Sequence, residues 1–256
     1  MKILIVGLAK EELVKEIHAN YPRLEIVAKD PEVVVCYGGD GTLLYAERIF
    51  PGIPKAMIRN SRVCKLCSTE TGDTILSLLQ RNDFQIVEHT KLEAHVNKQI
   101  LYALNDIVIG HQAVNGTLRS QVYLNGQQYG DEIFGDGVVI STPLGSTGYY
   151  QSITRSNFRS GIGIAFNNSI TSVSHLVVDK KTTIEVEVTR GPGVVASDND
   201  ERALPLPNKQ RAKIMISDKI AKIIKFPKEF QKFNVNTGSD RAVLGYCQIC
   251  RVHYEQ

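Results

Sequence analysis

The sequence predicts an α/β N-terminal domain, doubly wound around a parallel sheet, followed by a β-rich C-terminal domain. Two observations carry this. Short apolar runs alternate with helix-patterned segments through residue 83, the order expected of parallel strands joined by crossover helices. Beyond that point the segments become strand-like: in "TTIEVEVT", Ile184, Val186 and Val188 alternate with Glu185 and Glu187, the period of a half-buried strand.

Taken in order, "KILIVG" is a first strand, and "KEELVKEIHAN" is a helix with Leu13, Val14 and Ile17 on one face. "LEIVA" and "VVVCY" are two further strands. "TLLYAERIF" is a helix closed by Pro51, "PKAMIRN" a strand and "TGDTILSLLQRND" a helix. "FQIVEHTKLEAHVN", "QILYALNDIVIGHQ" and "RSQVYLNGQQYGDEI" open the β-rich part, with hairpin turns expected at Asn97-Lys98 and, more strongly, at Asn125-Gly126. The expected units are residues 1–90, carrying a glycine-rich loop, and residues 91–225. Residues 226–256 follow neither pattern.

Composition narrows the function classes. Of the 256 residues, 43% are apolar and 22% charged, as in an ordinary globular protein with a real core. A formal net charge of +3 gives no reason to expect a nucleic-acid or membrane partner. The opening "MKILIVGLAKEEL" reads as a strand and not as a signal peptide, so a cytoplasmic protein is expected.

Three segments carry candidate chemistry. In "VVVCYGGDGTLLYAERIF" an apolar strand runs into Gly38, Gly39, Asp40, Gly41 and Thr42 before a helix begins. Glycines there let backbone turn tightly or approach a ligand closely, and the acid is either a turn residue or aimed at that ligand. In "ALNDIVIG", Asn105 and Asp106 interrupt an apolar strand. They mark a strand end, an edge or a cleft, because unpaired polar groups in a buried strand are costly. In "FGDGVVISTPLGSTGYYQS", Asp136 lies between glycines, and hydroxylated residues beside glycines reach Thr147, Gly148, Tyr149 and Ser152. Such a segment presents N–H and O–H groups to a sugar, phosphate or purine, or caps the turn that follows it.

In order and spacing, "GGDGT", "ALND" and "GDGVVISTPLGSTGY" resemble the motifs of the NAD kinases. The resemblance implies an α/β domain joined to an all-β domain, with the substrate bound between them. It implies transfer of the γ-phosphate of ATP, accompanied by Mg²⁺, to the 2′-hydroxyl of the adenosine ribose of NAD. Asp40 matches the catalytic acid of that family, and Gly38, Gly39, Gly41 and Thr42 its phosphate loop. Asn105 and Asp106 match residues contacting adenosine, and Asp136 one towards the nicotinamide half. Thr147, Gly148, Tyr149 and Ser152 match the third motif, and Asp198 in "SDND" a later acid. The resemblance further implies a homo-oligomer and a C-terminal segment that returns to the N-terminal domain. The chain departs from the pattern in five places: Asp106 replaces a glutamate, Leu144 a hydroxylated residue and Gly148 an alanine, while "SITR" and "VCKLCST" stand for glycine-rich stretches. A lipid or sugar kinase sharing only the "GGDGT" loop, and a dinucleotide-binding regulator without turnover, are the alternative readings.

Five cysteines include two C-x-x-C pairs, Cys64 with Cys67 and Cys247 with Cys250. Four thiolates are what a tetrahedral structural Zn²⁺ takes, and this is the reading the repeated spacing favours. Disulfides and unrelated thiols are the alternatives. Cys36, in the strand before the glycine loop, reads as a core residue.

Overall fold

The computed structural model describes residues 1–68 and 70–227, with the backbone of Gly245–Tyr246 and His253–Tyr254. The N-terminal part runs β1 (Lys2–Val6), α1 (Glu11–Asn20), β2 (Glu25–Ile26), β3 (Val33–Gly38), α2 (Asp40–Ile49), β4 (Lys55–Arg59) and α3 (Gly72–Gln80). Strands β2-β1-β3-β4 are parallel neighbours. Leu13 and Ile17 of α1, with Ile75, Leu76 and Leu79 of α3, cover one face of this sheet, and Leu43, Leu44 and Ala46 of α2 cover the other. Strands covered on both faces have no polar alternation, which is why "VVVCY" reads as a continuous apolar run. Only Glu25–Ile26 of "LEIVA" pairs as strand, at the sheet edge.

The rest is mostly β: β5 (Gln85–Val96), β6 (Gln99–Ala103), β7 (Asp106–His111), β8 (Leu118–Leu124), β9 (Gln127–Gly135) and β10 (Gly137–Ser141). A 3₁₀ turn (Gly145–Thr147) and α4 (Tyr149–Thr154) follow. The strands resume as β11 (Ile162–Asn167), β12 (Leu176–Val178), β13 (Ile184–Arg190), β14 (Gly193–Ser197), β15 (Leu204–Leu206) and β16 (Arg211–Lys225). A six-stranded sheet, β12-β11-β10-β7-β14-β15, packs on the antiparallel part of the larger sheet. Ile107, Ile109, Val138, Ile140 and Ile164 from one side meet Leu92, Ala94, Val122, Val186 and Ile214 from the other. Both expected hairpin turns form. Asn97 has φ 55°, while Asn125 and Gly126 have φ 50° and 79°, the two positive angles of the turn that Asn-Gly favours.

Strand β16 joins the two regions. It lies antiparallel to β5 from Ala212↔Val96 to Lys225↔Gln85, pairs with β13 at one end and meets β4 at Ile223↔Lys55 at the other. The larger sheet is therefore continuous between the parallel and antiparallel regions. Where α2, β4 and β5 converge, Glu47 is buried between two buried lysines. Lys91 Nζ donates to Glu47 Oε1 at 3.0 Å, and Lys55 Nζ donates to Glu47 Oε2 and to the Phe50 carbonyl. Burial lowers the Lys55 pKa, and the carboxylate beside it opposes that shift.

Removing the carboxylate leaves two buried cations unpaired, a loss of about 3–5 kcal/mol for such an arrangement. Urea unfolding of Glu47→Ala is expected to show a destabilisation of that order. A loss below about 1 kcal/mol, the range of exposed ion pairs, contradicts the burial of this cluster.

Candidate active site

Strand β3 ends at Gly38 and α2 begins at Asp40, two residues before the helix start read from the sequence. The turn is tight because Gly39 is extended at φ −121° and its carbonyl accepts the Thr42 N–H at 3.0 Å. A Cβ on Gly38 would stand 2.2 Å from Thr42 Oγ1, so the close packing of strand end on helix start requires glycine. Asp40 is thus the first residue of a ten-residue helix, where the helix dipole favours a negative charge.

The Asp40 carboxylate faces the loop after β4. Its Oδ2 accepts the Lys65 N–H and its Oδ1 the Leu66 N–H, each at 3.0 Å. Cys64 Sγ lies 3.1 Å from Oδ1 but has no proton to give, because Cys64 and Cys67 are joined in a disulfide. This corrects the zinc expectation for these two residues: a cystine offers no thiolate to a metal. Cys247 and Cys250 lie outside the described residues. So does the expected return of the C-terminal segment. Cys36 is a buried free thiol raised to about 12, chiefly by burial.

The Asn105-Asp106 pair lies where β6 has ended and β7 begins, so a strand end accounts for it. Asp198 shapes this turn. Its Oδ2 accepts the Leu104 N–H at 2.7 Å, and its Oδ1 accepts those of Asn105 and Asp106 at 2.8 and 3.1 Å. Asp198 itself has φ 47°, a left-handed conformation that aspartate tolerates better than most residues. The next residue ties the turn to the glycine loop, Asn199 Nδ2 donating to the Gly41 carbonyl at 2.9 Å. Arg48 of α2 holds the same segment through the Asn199 carbonyl and Asp200.

The "STPLGST" stretch closes on the turn from the other side. The Thr142 N–H donates to the Asn105 carbonyl at 2.8 Å and Thr142 Oγ1 to the Leu104 carbonyl at 2.7 Å. A Cβ on Gly145 would stand 2.2 Å from Asn105 O, so glycine is needed for this approach. Gly148 precedes α4, which ends with Arg155 at φ 60°. The "SITR" departure therefore keeps a left-handed helix end without glycine. Lys65 crosses from the Asp40 loop to this stretch, its ammonium donating to the Thr147 carbonyl and, at 3.2 Å, to Gln151 Oε1.

All three sequence motifs thus meet, joined by the Lys65 loop and the Asp198–Asp200 segment. Not every expected residue has a free functional group. Both Asp198 oxygens are engaged by backbone, Ser152 Oγ donates to the Tyr149 carbonyl at 2.7 Å, and Thr147 Oγ1 turns to the Leu144 carbonyl at 3.4 Å. Asp136 Oδ2 accepts from Asn168 Nδ2 at 2.6 Å, and Tyr149 OH accepts from Asn167 Nδ2 at 2.9 Å. The side-chain oxygen of Asn105 is buried without a partner among the described residues. Such an atom is costly unless something binds it. Lys65, Gln151 and Asn199 escaped the sequence reading. Lys65 lay inside "CKLC", where the cysteines drew the attention, and nothing local marks the other two.

On the outer side of the glycine loop, a cavity of about 540 Å³ is lined by Gly7, Leu8, Lys10, Gly41, Thr42 and Tyr45, among others. It runs along β1 from Leu4 past the strand's carboxyl end and along α2 from Gly41 to Phe50, beside the point where β1 and β3 are adjacent although β2 intervenes in sequence. Crevices at such a switch in strand order are where open α/β sheets bind ligands. Among the described residues no group of three or more His, Cys, Asp or Glu side chains is placed to hold a metal ion. No helix among them is long and apolar enough to cross a membrane.

Electrostatics single out Asp106. It is 8% exposed, and burial first, then the charge of Asp198, raises its pKa to about 7. Burial likewise raises Asp198, against the pull of its three amide partners and Lys91. Tyr149 is raised by burial, with Asp136 and Asp106 adding to the shift. An acid whose folded-state pKa lies above its unfolded value binds more protons when folded. Its contribution to stability therefore falls as pH rises from the unfolded value to the folded one. Stability is expected to decline between about pH 4 and pH 7, the ordinary aspartate value and that of Asp106. Asp106→Asn should flatten this decline and be more stable than the parent at pH 8. Denaturant midpoints across that range are the check, and an unchanged slope in the variant counts against Asp106 as its source.

The model of the ATP-NAD kinase C-terminal domain matches residues 104–226. The NAD kinase of Sulfurisphaera tokodaii is 32% identical, the alignment covering 79% of this chain and 84% of that protein. The NAD kinase of Flavobacterium johnsoniae is 25% identical over 87% of this chain and 80% of its own length. In fold, the chain is similar to yeast NADH kinase in complex with NADH, with a TM-score of 0.76, 15% identity and 90% and 84% of the two chains covered. A relative at this identity, aligned over most of both chains, together with the domain match, decides the family: the chain belongs to the NAD kinases.

Proposed function

We propose that this protein is an NAD kinase that transfers the γ-phosphoryl group of ATP to the 2′-hydroxyl of the adenosine ribose of NAD, giving NADP. The observation that carries the reading is Asp40, a carboxylate at a helix N-terminus, turned to a loop that itself touches the third motif. In this role Asp40 accepts the proton of the 2′-hydroxyl as its oxygen attacks phosphorus. Phosphoryl transfer of this kind depends on positioning and charge neutralisation more than on covalent chemistry. Gly38, Gly39, Gly41 and Thr42 form the donor side of the site, and the cavity beside Gly41 and Thr42 has room for part of a nucleotide.

The donor enters as its Mg²⁺ complex, the metal held mainly by phosphate oxygens and water. Asn105 and Asp106 are assigned to the adenosine of NAD, and the unpartnered Asn105 oxygen supports this, since it can accept from an amino group. With a pKa near 7, Asp106 carries or lacks its proton according to what it meets, and so can donate as well as accept. Asp136, Thr147, Gly148 and Tyr149 are assigned to the remainder of NAD, Thr147 and Gly148 chiefly through main chain. Ser152 and Asp198 are assigned to shaping the site. Structural zinc is not part of the reading. That the enzyme works as a cytoplasmic homo-oligomer is proposed on family membership alone.

Asp40→Asn keeps the shape of the side chain and removes the base. NADP formation from NAD, ATP and Mg²⁺ is expected to fall by about 10²–10⁴-fold, the usual contribution of a positioned acid–base group. NAD affinity, followed by calorimetry, should change by less than about threefold, well under the 1.4 kcal/mol of a tenfold change. Full turnover in the variant removes Asp40 from the role of base. A parent protein that binds NAD but forms no NADP with any donor belongs instead with catalytically silent regulators.

A further inference from the structure

Lys65 has no role in the assignments above, yet its position is unusual. Its main-chain N–H is bonded to the Asp40 carboxylate, so the residue is anchored beside the proposed base. Its ammonium extends to the opposite wall and ends on the Thr147 carbonyl and the Gln151 side-chain oxygen. Both acceptors are neutral. Among the described residues no carboxylate forms an ion pair with Lys65. An exposed cation spanning two walls of a site, on neutral oxygens only, is placed to exchange them for an anion at little cost. A lysine ammonium is a compact point charge on a flexible stem and a common partner of phosphate.

We propose that Lys65 is a phosphate-binding residue of the transfer site, holding the phosphoryl group as it moves from the donor to the 2′-oxygen and remaining on the 2′-phosphate of the product. The inference rests on the NAD kinase reading of the site. In the step, the O2′–H proton passes to Asp40 and the O2′–P bond forms. The bond from that phosphorus to the β,γ-bridging oxygen breaks, its electron pair leaving with the diphosphate. Lys65 keeps its proton throughout and donates hydrogen bonds to the equatorial oxygens, where negative charge collects. The disulfide between Cys64 and Cys67 closes a short ring that contains Lys65 and Leu66 and limits the conformations of their backbone. A residue presented by a restrained loop gives up less freedom on binding.

NAD and NADP differ only in the 2′-phosphate, so paired affinities isolate the contact. Lys65→Gln should weaken NADP binding about tenfold or more, a loss of 1.4 kcal/mol per factor of ten. NAD binding should stay within about twofold. The same variant should lower kcat for NADP formation by about 10²-fold, as removal of one charge-stabilising donor does elsewhere. Lys65→Arg, which keeps the charge, should restore most of both losses. Lys65 is exposed and its partners are neutral, so the melting temperature should not move. If Lys65→Gln binds NADP as the parent does and turns over at the parent rate, the proposal is wrong and the kinase reading stands. If the parent makes no NADP but its preference for NADP over NAD disappears in Lys65→Gln, the phosphate site stands and the kinase reading falls.

Discussion

The site depends on one carboxylate receiving three amide protons. Asp198 takes the N–H groups of Leu104, Asn105 and Asp106, at the turn that leads from β6 into β7. Buried amides without partners each carry a desolvation cost, and a charged acceptor satisfies several at once. With that turn pinned, Thr142 and Gly145 settle against its carbonyl side, and the third motif takes its place. Through Asn199 the same segment reaches the carbonyl of Gly41 and so the start of α2. A residue that matches a substrate contact in the family pattern is, in this chain, the keystone of the walls around the substrate.

Much of this was legible in the sequence, for identifiable reasons. The N-terminal strands are covered on both faces, so they are apolar throughout and stand out against the helices between them. Hairpin turns at Asn97 and Asn125 were legible because asparagine tolerates the left-handed backbone that tight turns demand. The three motifs were legible because their glycines mark close approaches, as Gly38 to Thr42 and Gly145 to Asn105 make plain. What was not legible depends on partners far apart in the chain. Asn199 gains its role from a carbonyl 158 residues away, and Lys65 from one 82 residues away. The cysteine spacing gave four thiols without stating their oxidation state, and the disulfide decides against zinc at the first pair.

Two levels of polarity coexist around Asp40. Behind it, Glu47, Lys55 and Lys91 form a dry ionic cluster that α2 shares with β4 and β5. In front of it, the main-chain N–H groups of Lys65 and Leu66 hold its carboxylate, and the exposed lysine side chain reaches across to the third motif. The same short helix serves both. Its first turn carries the proposed base and its later turns fasten that base to the larger sheet. Chemistry at one end and stability at the other are therefore connected by a single ten-residue element.

The long pairing of β5 with β16 has a mechanical consequence. A jaw that opens on a loose linker can swing freely, but here the two regions share a long ribbon of main-chain bonds. The ribbon is interrupted only between Ile216 and Ile220, where its register shifts. Large rotation of one region against the other would have to shear those bonds in sequence. The irregular stretch is where the ribbon bends and gains local twist, as a strand does at a bulge. A dinucleotide entering between the walls therefore meets two regions tied by one continuous sheet and not two bodies joined by a loose linker.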